Sequence, residues 1–497
     1  MTASLVEGDA ADASLLEHVH PPTWVNPISS GRYNLVVIGG GTAGLVSAVG
    51  AAALGARVAL IERHWLGGDC LNVGCVPSKA VIRAARAAHD ARTATGFGIR
   101  VDAVEVDFAA AMARMRRLRA GIAPHDSAAR LAGLGIDVFL GAARFVDREI
   151  IEVGGQRLQF ARAVIATGAR AAVPTVPGLA EAGYLTNETV FTLTTRPGRL
   201  VVIGGGPIGC ELAQAFRRLG SEVVVVDRCE HLLSRDDPDA GAIVRERLVA
   251  EGVDLVLGAA ILRVDHDRTL IVDRGRGEER VCTDQILVAT GRTPNVAELG
   301  LDAAGIVATA HGIDVDDHLR TANRRVFAAG DVASRFQFTH AADAMARIVL
   351  QNALFFGRKR VSALTIPWCT YTDPEVAHVG MSAADAAKRD DLTTLTVPLA
   401  EVDRAVLDGE TDGFARVYAD RKGRILGATL VSRHAGETIG ELALAMTHGL
   451  RLGALASTIH PYPTQAEAVR KLGDAYQRTR LTPRIRRLFG WLMRRRR

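Results

Sequence analysis

The 497-residue chain is too long for a single hydrophobic core, so its length predicts two to four domains. Its composition, 48% hydrophobic and 23% charged, is ordinary for a soluble globular protein, and six cysteines are too few for a disulfide scaffold, which predicts a cytoplasmic location. The net charge of +5 comes largely from arginines among the last fourteen residues, so it indicates no nucleic-acid-binding body.

Residues 1–32 are polar, contain three prolines and lack a helical or strand period. They predict an extended arm that contacts the body through Trp24. Acidic side chains at Glu7, Asp9 and Asp12 stand where a signal peptide would have a basic start, so none is expected. The sequence has no apolar run of about 20 residues, so no transmembrane helix is predicted.

Residues 33–63 predict a βαβ unit, with strands at 33–38 and 57–61 and an Ala-rich helix that ends near Leu54. Between the first strand and the helix, Gly39 makes a tight turn, Gly41 allows a pyrophosphate to approach, and Gly44 allows the helix to pack on the strand. Glu62 lies 23 positions after Gly39, where an acid binds a ribose hydroxyl. Glycines alone are a weak signal, but together with the acid they predict a dinucleotide site.

The next segment, residues 67–79, reads Gly-Gly-Asp-Cys-Leu-Asn-Val-Gly-Cys-Val-Pro-Ser-Lys. It places Cys70 and Cys75 just before a predicted helix over 78–91. A thiol at a helix N-terminus has a lowered pKa, and this spacing is within reach of a disulfide if the first turn is distorted. The segment therefore predicts a redox-capable dithiol beside a nucleotide cofactor; the alternative is two ordinary buried cysteines.

Cys-x4-Cys followed by Val-Pro-Ser-Lys resembles the active site of the flavin-dependent disulfide reductases, such as dihydrolipoamide dehydrogenase, glutathione reductase and mercuric reductase. The resemblance extends over residues 33 to 480. It implies an α/β fold with two Rossmann-like dinucleotide-binding domains, for FAD and NAD(P), a C-terminal α+β dimerisation domain, and a homodimer. The predicted segments are an N-terminal arm (1–32), the FAD domain (33–175 and 293–360), the NAD(P) domain (176–292), the interface domain (361–480) and a basic tail (481–497).

A second glycine turn, Gly204-Gly205-Gly206-Pro207-Ile208-Gly209, follows a strand at 200–203, and Asp227 again lies 23 positions after its first glycine. Two such units in one chain indicate two dinucleotides, and the resemblance implies that the second is the nicotinamide cofactor. An acid at the strand end accepts from the adenosine 2′-hydroxyl and repels a 2′-phosphate. Asp227 therefore favours NADH, whereas Arg228 beside it suits a 2′-phosphate.

Three further motifs resemble the family's flavin-domain connections: residues 164–168, 286–295 and 321–331. Asp331 is expected to contact a ribityl hydroxyl, with a helix N-cap as the alternative. By the resemblance, the cofactor-binding positions are Gly39, Gly41, Thr42, Ala43, Gly44, Glu62, Arg63, Gly68, Asp69, Lys79, Ala166, Thr167, Gly168, Gly204, Gly206, Gly209, Asp227, Arg228, Gly291, Arg292, Gly330 and Asp331.

The resemblance also implies a reaction path. NAD(P)H gives a hydride to one face of the flavin, and the reduced flavin opens the Cys70–Cys75 disulfide on the other. Cys75 is expected to be the flavin-facing thiolate and Cys70 the exchange thiol. Lys79 and Glu211 are expected to meet beside the flavin, with an ordinary surface ion pair as the alternative.

The sequence departs from the family pattern at three places. Pro207 stands where many members have an aromatic gate. Tyr462 replaces the histidine that serves as acid/base in the dihydrolipoamide and glutathione enzymes, although Glu467 is kept; mercuric reductases also have a tyrosine there. His460 is an alternative base, or a structural histidine. Mercuric reductases use a C-terminal cysteine pair, whereas the last cysteine here is Cys369.

These features predict a mercuric-reductase-like NAD(P)H:disulfide or metal-ion oxidoreductase (EC 1.8 or 1.16 type) that prefers NADH. Its acceptor would be Hg(II) or another thiol-reactive species, with Cys70 and Cys75 as transient Hg(II) ligands and no resident metal. The alternatives are a dihydrolipoamide dehydrogenase and a redox sensor without turnover. The basic tail, with Ile485, Leu488 and Trp491, suits weak contact with an anionic membrane surface; the alternative is a solvated tail.

Overall fold

The computed structural model describes residues 5–496. The chain divides into two compact units. The first comprises Met1–Gly204, Leu212–Arg228 and Val253–Leu364, and the second comprises Gly205–Glu211, Cys229–Gly252 and Thr365–Arg497. The domain bounds expected from the sequence remain a prediction.

The elements are numbered in chain order. Helices α1 to α17 are Ala10–Val19, Thr42–Ala53, Gly68–Asn72, Cys75–Thr93, Phe108–Ile122, Ala128–Gly133, Leu179–Ala182, Pro207–Arg218, Pro238–Ala250, Leu301–Ala304, Thr339–Leu354, Ala383–Ala386, Asp403–Asp408, Ala435–Thr447, Leu452–Ser457, Glu467–Thr479 and Pro483–Arg495. Strands β1 to β23 are Arg32–Ile38, Val58–Glu62, Ile136–Leu140, Arg144–Phe145, Ile150–Val153, Gln156–Ile165, Ala169–Ala171, Arg199–Ile203, Glu222–Asp227, Val253–Leu257, Ala260–Val264, Leu270–Asp273, Glu278–Val281, Gln285–Val288, Arg292–Pro294, Ala308–Thr309, Gly312–Ile313, Val326–Ala328, Pro367–Thr370, Glu375–Gly380, Leu392–Pro398, Phe414–Asp420 and Ile425–Ser432.

The main sheet of the first unit has the strand order β3-β2-β1-β6-β5-β4, and β18 also pairs with β6. Strands β3, β2, β1, β6 and β18 run parallel, whereas β5 pairs antiparallel with both β6 and β4. Strands β1, β2 and β18 are almost wholly apolar and buried, as expected of a parallel sheet covered on both faces. Their carboxyl ends gather Gly39, Glu62, Ala166 and Gly330 at one edge, where ligands of open α/β sheets bind.

A second parallel sheet of the same unit has the order β10-β9-β8-β14. The two Ala-Thr-Gly segments lead into β7 and β15, and these strands pair with each other, with Arg292 opposite Ala171. Both parallel sheets and their predicted strands are therefore confirmed, and the chain has the mixed α/β fold that the sequence predicted.

The N-terminal segment differs from the prediction. Residues 10–19 form helix α1, because Asp9 caps it by accepting from the N–H groups of Ala11 and Asp12, and Leu15 and Val19 are buried. The expectation of an extended arm is therefore wrong for this stretch. The expected contact through Trp24 is confirmed, since its Nε1 donates to the carbonyl of Val138 at 3.2 Å.

The second unit contains an antiparallel sheet with the order β19-β20-β23-β22-β21. Side chains of α14 and α16 join the buried core on this sheet, among them Ile439, Leu442, Val469 and Leu472. The sequence pattern predicts strands at 395–399, 414–419 and 425–431 and a helix at 436–448, and these are present as β21, β22, β23 and α14, with every end within three residues of the expected one. Within residues 5–496, no helix has both the length and the apolar character that crossing a membrane requires.

Candidate functional site

The two cysteines of the predicted dithiol lie on the consecutive helices α3 and α4 and are not joined by a disulfide in the structure. Cys70 is half-buried within α3, and Cys75 is exposed at the first position of α4. Gly67 and Gly68 before them have φ values of +89° and +57°, which strain any residue other than glycine. A Cβ on Gly68 would meet the Cα of Gly41 at 2.6 Å. The segment thus lies directly against the first glycine turn, as the predicted site requires.

The electrostatics of the dithiol differ between its two members. The hydrogen bond with Cys75, followed by burial, raises the pKa of the Cys70 thiol. The expectation of a lowered thiol pKa is therefore wrong for Cys70, because a second negative charge beside the Cys75 sulfur is costly. Cys75 occupies the N-terminus of a 19-residue helix, where the helix dipole favours a thiolate. These effects favour a reduced pair with a single negative charge, on the Cys75 sulfur, and a protonated Cys70.

Thr339 is a functional residue that the sequence analysis missed. Its Oγ1 lies 3.4 Å from the sulfur of Cys75, and it is the first residue of α11. A hydroxyl in hydrogen-bonding range stabilises a thiolate when it donates. No helix was assigned to residues 339–354 from the sequence, so no sequence signal singled out this threonine.

Arg292 contacts two other predicted cofactor positions, Asp69 and Asp331, that lie far apart in the sequence. Its guanidinium donates to the carboxylate of Asp69 and, at 2.6 Å, to the carbonyl of Ala169, and it lies 3.4 Å from Asp331. Burial raises the pKa of Asp331 to about 6, although the positive charge of Arg292 opposes that rise. The N-cap alternative for Asp331 is wrong, since the next helix, α11, begins at Thr339.

The N-terminal helix supports the dithiol segment from its other side. Arg119 on α5 forms an ion pair with Asp12 on α1, and both side chains are only 1% exposed. Arg119 also donates to the carbonyl of Asn72 at 2.8 Å, and Leu66 donates to the carbonyl of Val19 at 3.0 Å. Removing one partner of such a buried pair costs about 3–5 kcal/mol of folding stability, so α1 stabilises the cysteine segment.

The first glycine turn fits a bound FAD. Gly39 has φ +108°, and a Cβ on Gly44 would meet the carbonyl oxygen of Gly39 at 1.8 Å, so the turn accepts no larger residue at either place. Helix α2 begins after Gly41 without a side-chain cap, which leaves its first N–H groups to a phosphate. Glu62 accepts from the N–H groups of Gly40 and His64, each at 2.6 Å, and burial raises its pKa.

The second glycine turn has the same construction. Gly204 has φ +116°, and a Cβ there would meet the carbonyl oxygen of Ala289 at 2.5 Å. No atom lies within 4 Å of a Cβ placed on Gly206, so there is room for a pyrophosphate above it. Asp227 ends β9 half-buried, and Arg228 after it is exposed.

The predicted Lys79–Glu211 pair is divided between the two units. Lys79 lies on α4 of the first unit. Glu211 is 5% exposed in the second unit, where its Oε1 accepts from the N–H of Tyr371 at 2.8 Å. The alternative of an ordinary surface pair is wrong for Glu211 because it is buried, and its pairing with Lys79 remains a prediction.

The C-terminal candidates lie together in the second unit. Tyr462 is 70% exposed and donates to Asp403 at 2.7 Å, and this bond raises the pKa of its hydroxyl. His460 has Glu441 at 3.0 Å from Nε2 and the carbonyl of Thr458 at 3.1 Å from Nδ1. Both of its nitrogens face oxygen acceptors, which favours the structural alternative over the role of base.

Glu467 lies buried near Tyr462 and holds Arg470 through Oε1 at 2.7 Å. Among the described residues, its Oε2 is buried without a hydrogen-bond partner. Such an atom costs free energy unless a ligand or another side chain satisfies it.

Comparison with known proteins decides the family. Residues 33–346 match the family described as pyridine nucleotide-disulphide oxidoreductase, and residues 366–472 match its dimerisation domain. The chain belongs to the pyridine nucleotide-disulfide oxidoreductase family. It is therefore an oxidoreductase of a family that uses FAD and NAD(P)H, which confirms the expected cofactors.

The similar proteins differ in their named activities. A mercuric reductase of Lysinibacillus sphaericus is 36% identical over 94% of this chain and 86% of its own length. A dihydrolipoyl dehydrogenase of Haloferax volcanii is 34% identical over 90% of this chain and 97% of its own. Among solved structures, the HOCl-induced flavoprotein disulfide reductase RclA from Escherichia coli has a TM-score of 0.79 at 30% identity, over 89% of this chain and 99% of its own.

Proposed function

We propose that the chain is a homodimeric enzyme that oxidises NADH and delivers the electrons through Cys70 and Cys75 to a soft, thiol-reactive acceptor, with Hg(II) as the favoured substrate. The observation that carries the proposal is Tyr462, which stands in place of a histidine in the run that ends at Glu467 and donates to Asp403. Dithiol exchange needs a proton acceptor at that place, whereas a soft metal ion needs only thiolates. The cytoplasmic location remains a prediction.

FAD, when bound, carries two electrons from the nicotinamide to the disulfide. The glycine turn at 39–44 and the N-terminus of α2 would hold its pyrophosphate. Arg292 fixes the orientation of Asp69 and Asp331 beside it. Cys75 keeps the negative charge of the reduced pair, and Thr339 hydrogen-bonds to its sulfur. Cys70, which retains its proton more readily, is the thiol that exchanges with the acceptor.

Two similarities support a metal ion as the acceptor. Several relatives over most of the chain are named mercuric reductases. A structure of RclA, 30% identical with a TM-score of 0.80, is described as a Cu(II) complex. The second candidate is a dihydrolipoamide dehydrogenase, which the relative from Haloferax volcanii favours and Tyr462 disfavours.

An acceptor screen tests the proposal. We expect steady-state NADH oxidation with Hg(II) in excess small thiol to exceed that with lipoamide or glutathione disulfide by about a hundredfold, the lower end of what a placed acid–base group contributes. Cu(II) and a quinone complete the panel. Cys282→Ser is the control for mercury binding elsewhere, because Cys282 is an exposed thiol outside the candidate site. Fast lipoamide turnover would point to the dehydrogenase, and no turnover with any acceptor to a sensor.

We further propose that Asp227 makes the enzyme prefer NADH. Loss of a hydrogen bond to a charged group costs about 1.5–3 kcal/mol, so Asp227→Ser should lower kcat/KM for NADH roughly tenfold to a hundredfold and raise it for NADPH. Glu222→Gln, at the exposed start of the same strand, is the matched control. A wild-type enzyme that prefers NADPH would show that Arg228 dominates instead.

A further inference from the structure

Helix α17, Pro483–Arg495, is amphipathic, and none of its residues is buried in the described chain. Thr482 caps its N-terminus and Pro483 opens it, so the sequence itself defines the helix. Ile485, Leu488, Phe489 and Leu492 follow the spacing that places side chains on one face of a helix. Leu488 is 53% exposed and Phe489 48%. Exposure of this apolar face to water is unfavourable.

The charges of the segment identify what would cover that face. No acidic residue follows Asp474, and arginines stand at 484, 486, 487 and 494–497. The helical spacing places Arg487 and Arg494 opposite the apolar face and Arg484 and Arg486 at its borders. A second copy of the helix would bring arginines against arginines, which is unfavourable. An anionic partner with an apolar layer beneath its charges complements both faces.

Trp491 adds an independent feature. It lies on the border between the apolar and basic faces, 43% exposed, and the guanidinium of Arg495 lies 4.0 Å from the centre of its ring. Tryptophan prefers the interface between water and lipid, since its ring is apolar and its N–H is polar. An apolar face, a basic face and a tryptophan at their border are the features of a helix that lies in a membrane surface.

We propose that α17 binds the surface of an anionic lipid bilayer, with its apolar face in the headgroup and acyl boundary and its arginines on the lipid phosphates. A homodimer carries two such helices, and two weak anchors on one particle give stronger attachment than either alone. The oxidoreductase would then act on acceptors that are held at, or partition into, a membrane surface. The binding step itself needs no redox chemistry, so it stands or falls separately from the proposed function.

The test is co-sedimentation of the full-length holoenzyme with vesicles of phosphatidylcholine alone or mixed with phosphatidylglycerol. We expect binding to the mixed vesicles only, loss of binding at high salt, and a blue shift of tryptophan emission that Trp491→Phe removes. Replacing Arg484, Arg486 and Arg487 by glutamine should weaken binding roughly a hundredfold. Leu488→Ser with Phe489→Ser should also abolish it.

The control variant replaces Arg100, Arg276 and Arg421 by glutamine. These arginines are exposed and lie outside α17. Because three arginines are replaced in both cases, this variant has the same net charge as the tail variant. NADH oxidation of all variants, measured without vesicles, shows that they are folded. Equal binding of the tail and control variants would overturn the proposal, and so would binding to pure phosphatidylcholine. Association of dimers into larger particles through Leu488 and Phe489, without vesicle binding, would assign the face to a second copy of the chain instead.

Discussion

Cys75→Ser is expected to abolish acceptor-dependent NADH oxidation, with a loss of more than about a thousandfold, since removal of a nucleophile that acts in a unit has cost as much as a millionfold elsewhere. The reason is local. Cys75 combines the N-terminus of α4 with the hydroxyl of Thr339 at 3.4 Å, and a serine there stays protonated at neutral pH. The measurement is steady-state NADH oxidation with Hg(II) and small thiol.

Spectroscopy separates the two cysteines. In the wild type, one equivalent of NADH should produce a long-wavelength absorbance band, because the proposed role of the Cys75 thiolate is that of donor to the flavin. Cys75→Ser should lose this band. Cys70→Ser should show it permanently in the oxidised enzyme, since Cys75 can then form no disulfide and stays free as the thiolate.

The matched control for both variants is Cys282→Ser, which should retain the wild-type spectrum and rate. If Cys70→Ser and Cys75→Ser both kept wild-type spectra, the dithiol would not be coupled to the flavin. Loss of the band in Cys70→Ser but not in Cys75→Ser would reverse the roles assigned to the two thiols.

The strands on either side of the glycine turns were predictable because each carries its own signal, whereas β3 and β10 were not predicted. Strand β1 was expected from Tyr33 and begins at Arg32, and β8 was expected at 200–203 and is found at Arg199–Ile203. In each βαβ unit, the apolar run, the glycine turn and the acid at the end of the second strand are close together in the sequence. Such local patterns are reliable predictors, because the turn geometry leaves no room for a side chain at Gly39, Gly44 or Gly204.

Helix α1 was missed because its neighbours obscured its signals. Asp9 is a good N-cap, and Leu15 and Val19 are its buried positions, but the prolines that follow suggested an arm without structure. The reason it is stable lies elsewhere in the chain. Arg119 is 107 residues from Asp12, and no local pattern reveals that the two side chains form a buried ion pair.

The site shows the same division between local and distant information. The helix position of Cys75 could be predicted, because it depends on residues next to it. The raised pKa of Cys70 could not, because it depends on the Cys75 sulfur across a turn. The contact between Cys75 and Thr339 joins residues 264 positions apart, and the Arg292–Asp69 pair joins residues 223 apart. Motifs identified Cys75, Asp69 and Arg292 but not Thr339, and only the fold shows which of these residues meet.

Tyr462→His is expected to convert the enzyme toward dihydrolipoamide oxidation, with a gain of about a hundredfold to ten-thousandfold, the range that a placed acid–base group contributes. The wild type should be slow with this substrate, because a tyrosine with an ordinary pKa near 10 is poorly matched to thiol chemistry at neutral pH. Here the bond to Asp403 raises the pKa of Tyr462 further.

Glu467 is expected to increase the effect of the imidazole in the Tyr462→His variant. Its Oε2 is buried without a hydrogen-bond partner among the described residues, and the charge of Glu467 contributes to raising the pKa of the Tyr462 hydroxyl. An imidazole N–H donated to that oxygen would satisfy it, fix the ring and leave the other nitrogen to take the thiol proton. Glu467→Gln in the Tyr462→His background should therefore remove most of the gain.

The measurement is dihydrolipoamide oxidation by NAD, alongside Hg(II)-dependent NADH oxidation, for the wild type, Tyr462→His and Tyr462→Phe. The phenylalanine variant loses the bond to Asp403 without gaining a base, so it should stay slow with dihydrolipoamide. Hg(II) turnover should change little in the histidine variant, because the metal ion displaces the Cys70 proton when it binds the two sulfurs and needs no proton transfer from residue 462. Rapid dihydrolipoamide turnover by the wild type would falsify the assignment of Tyr462 and make His460, despite its bond to Glu441, the base to test next.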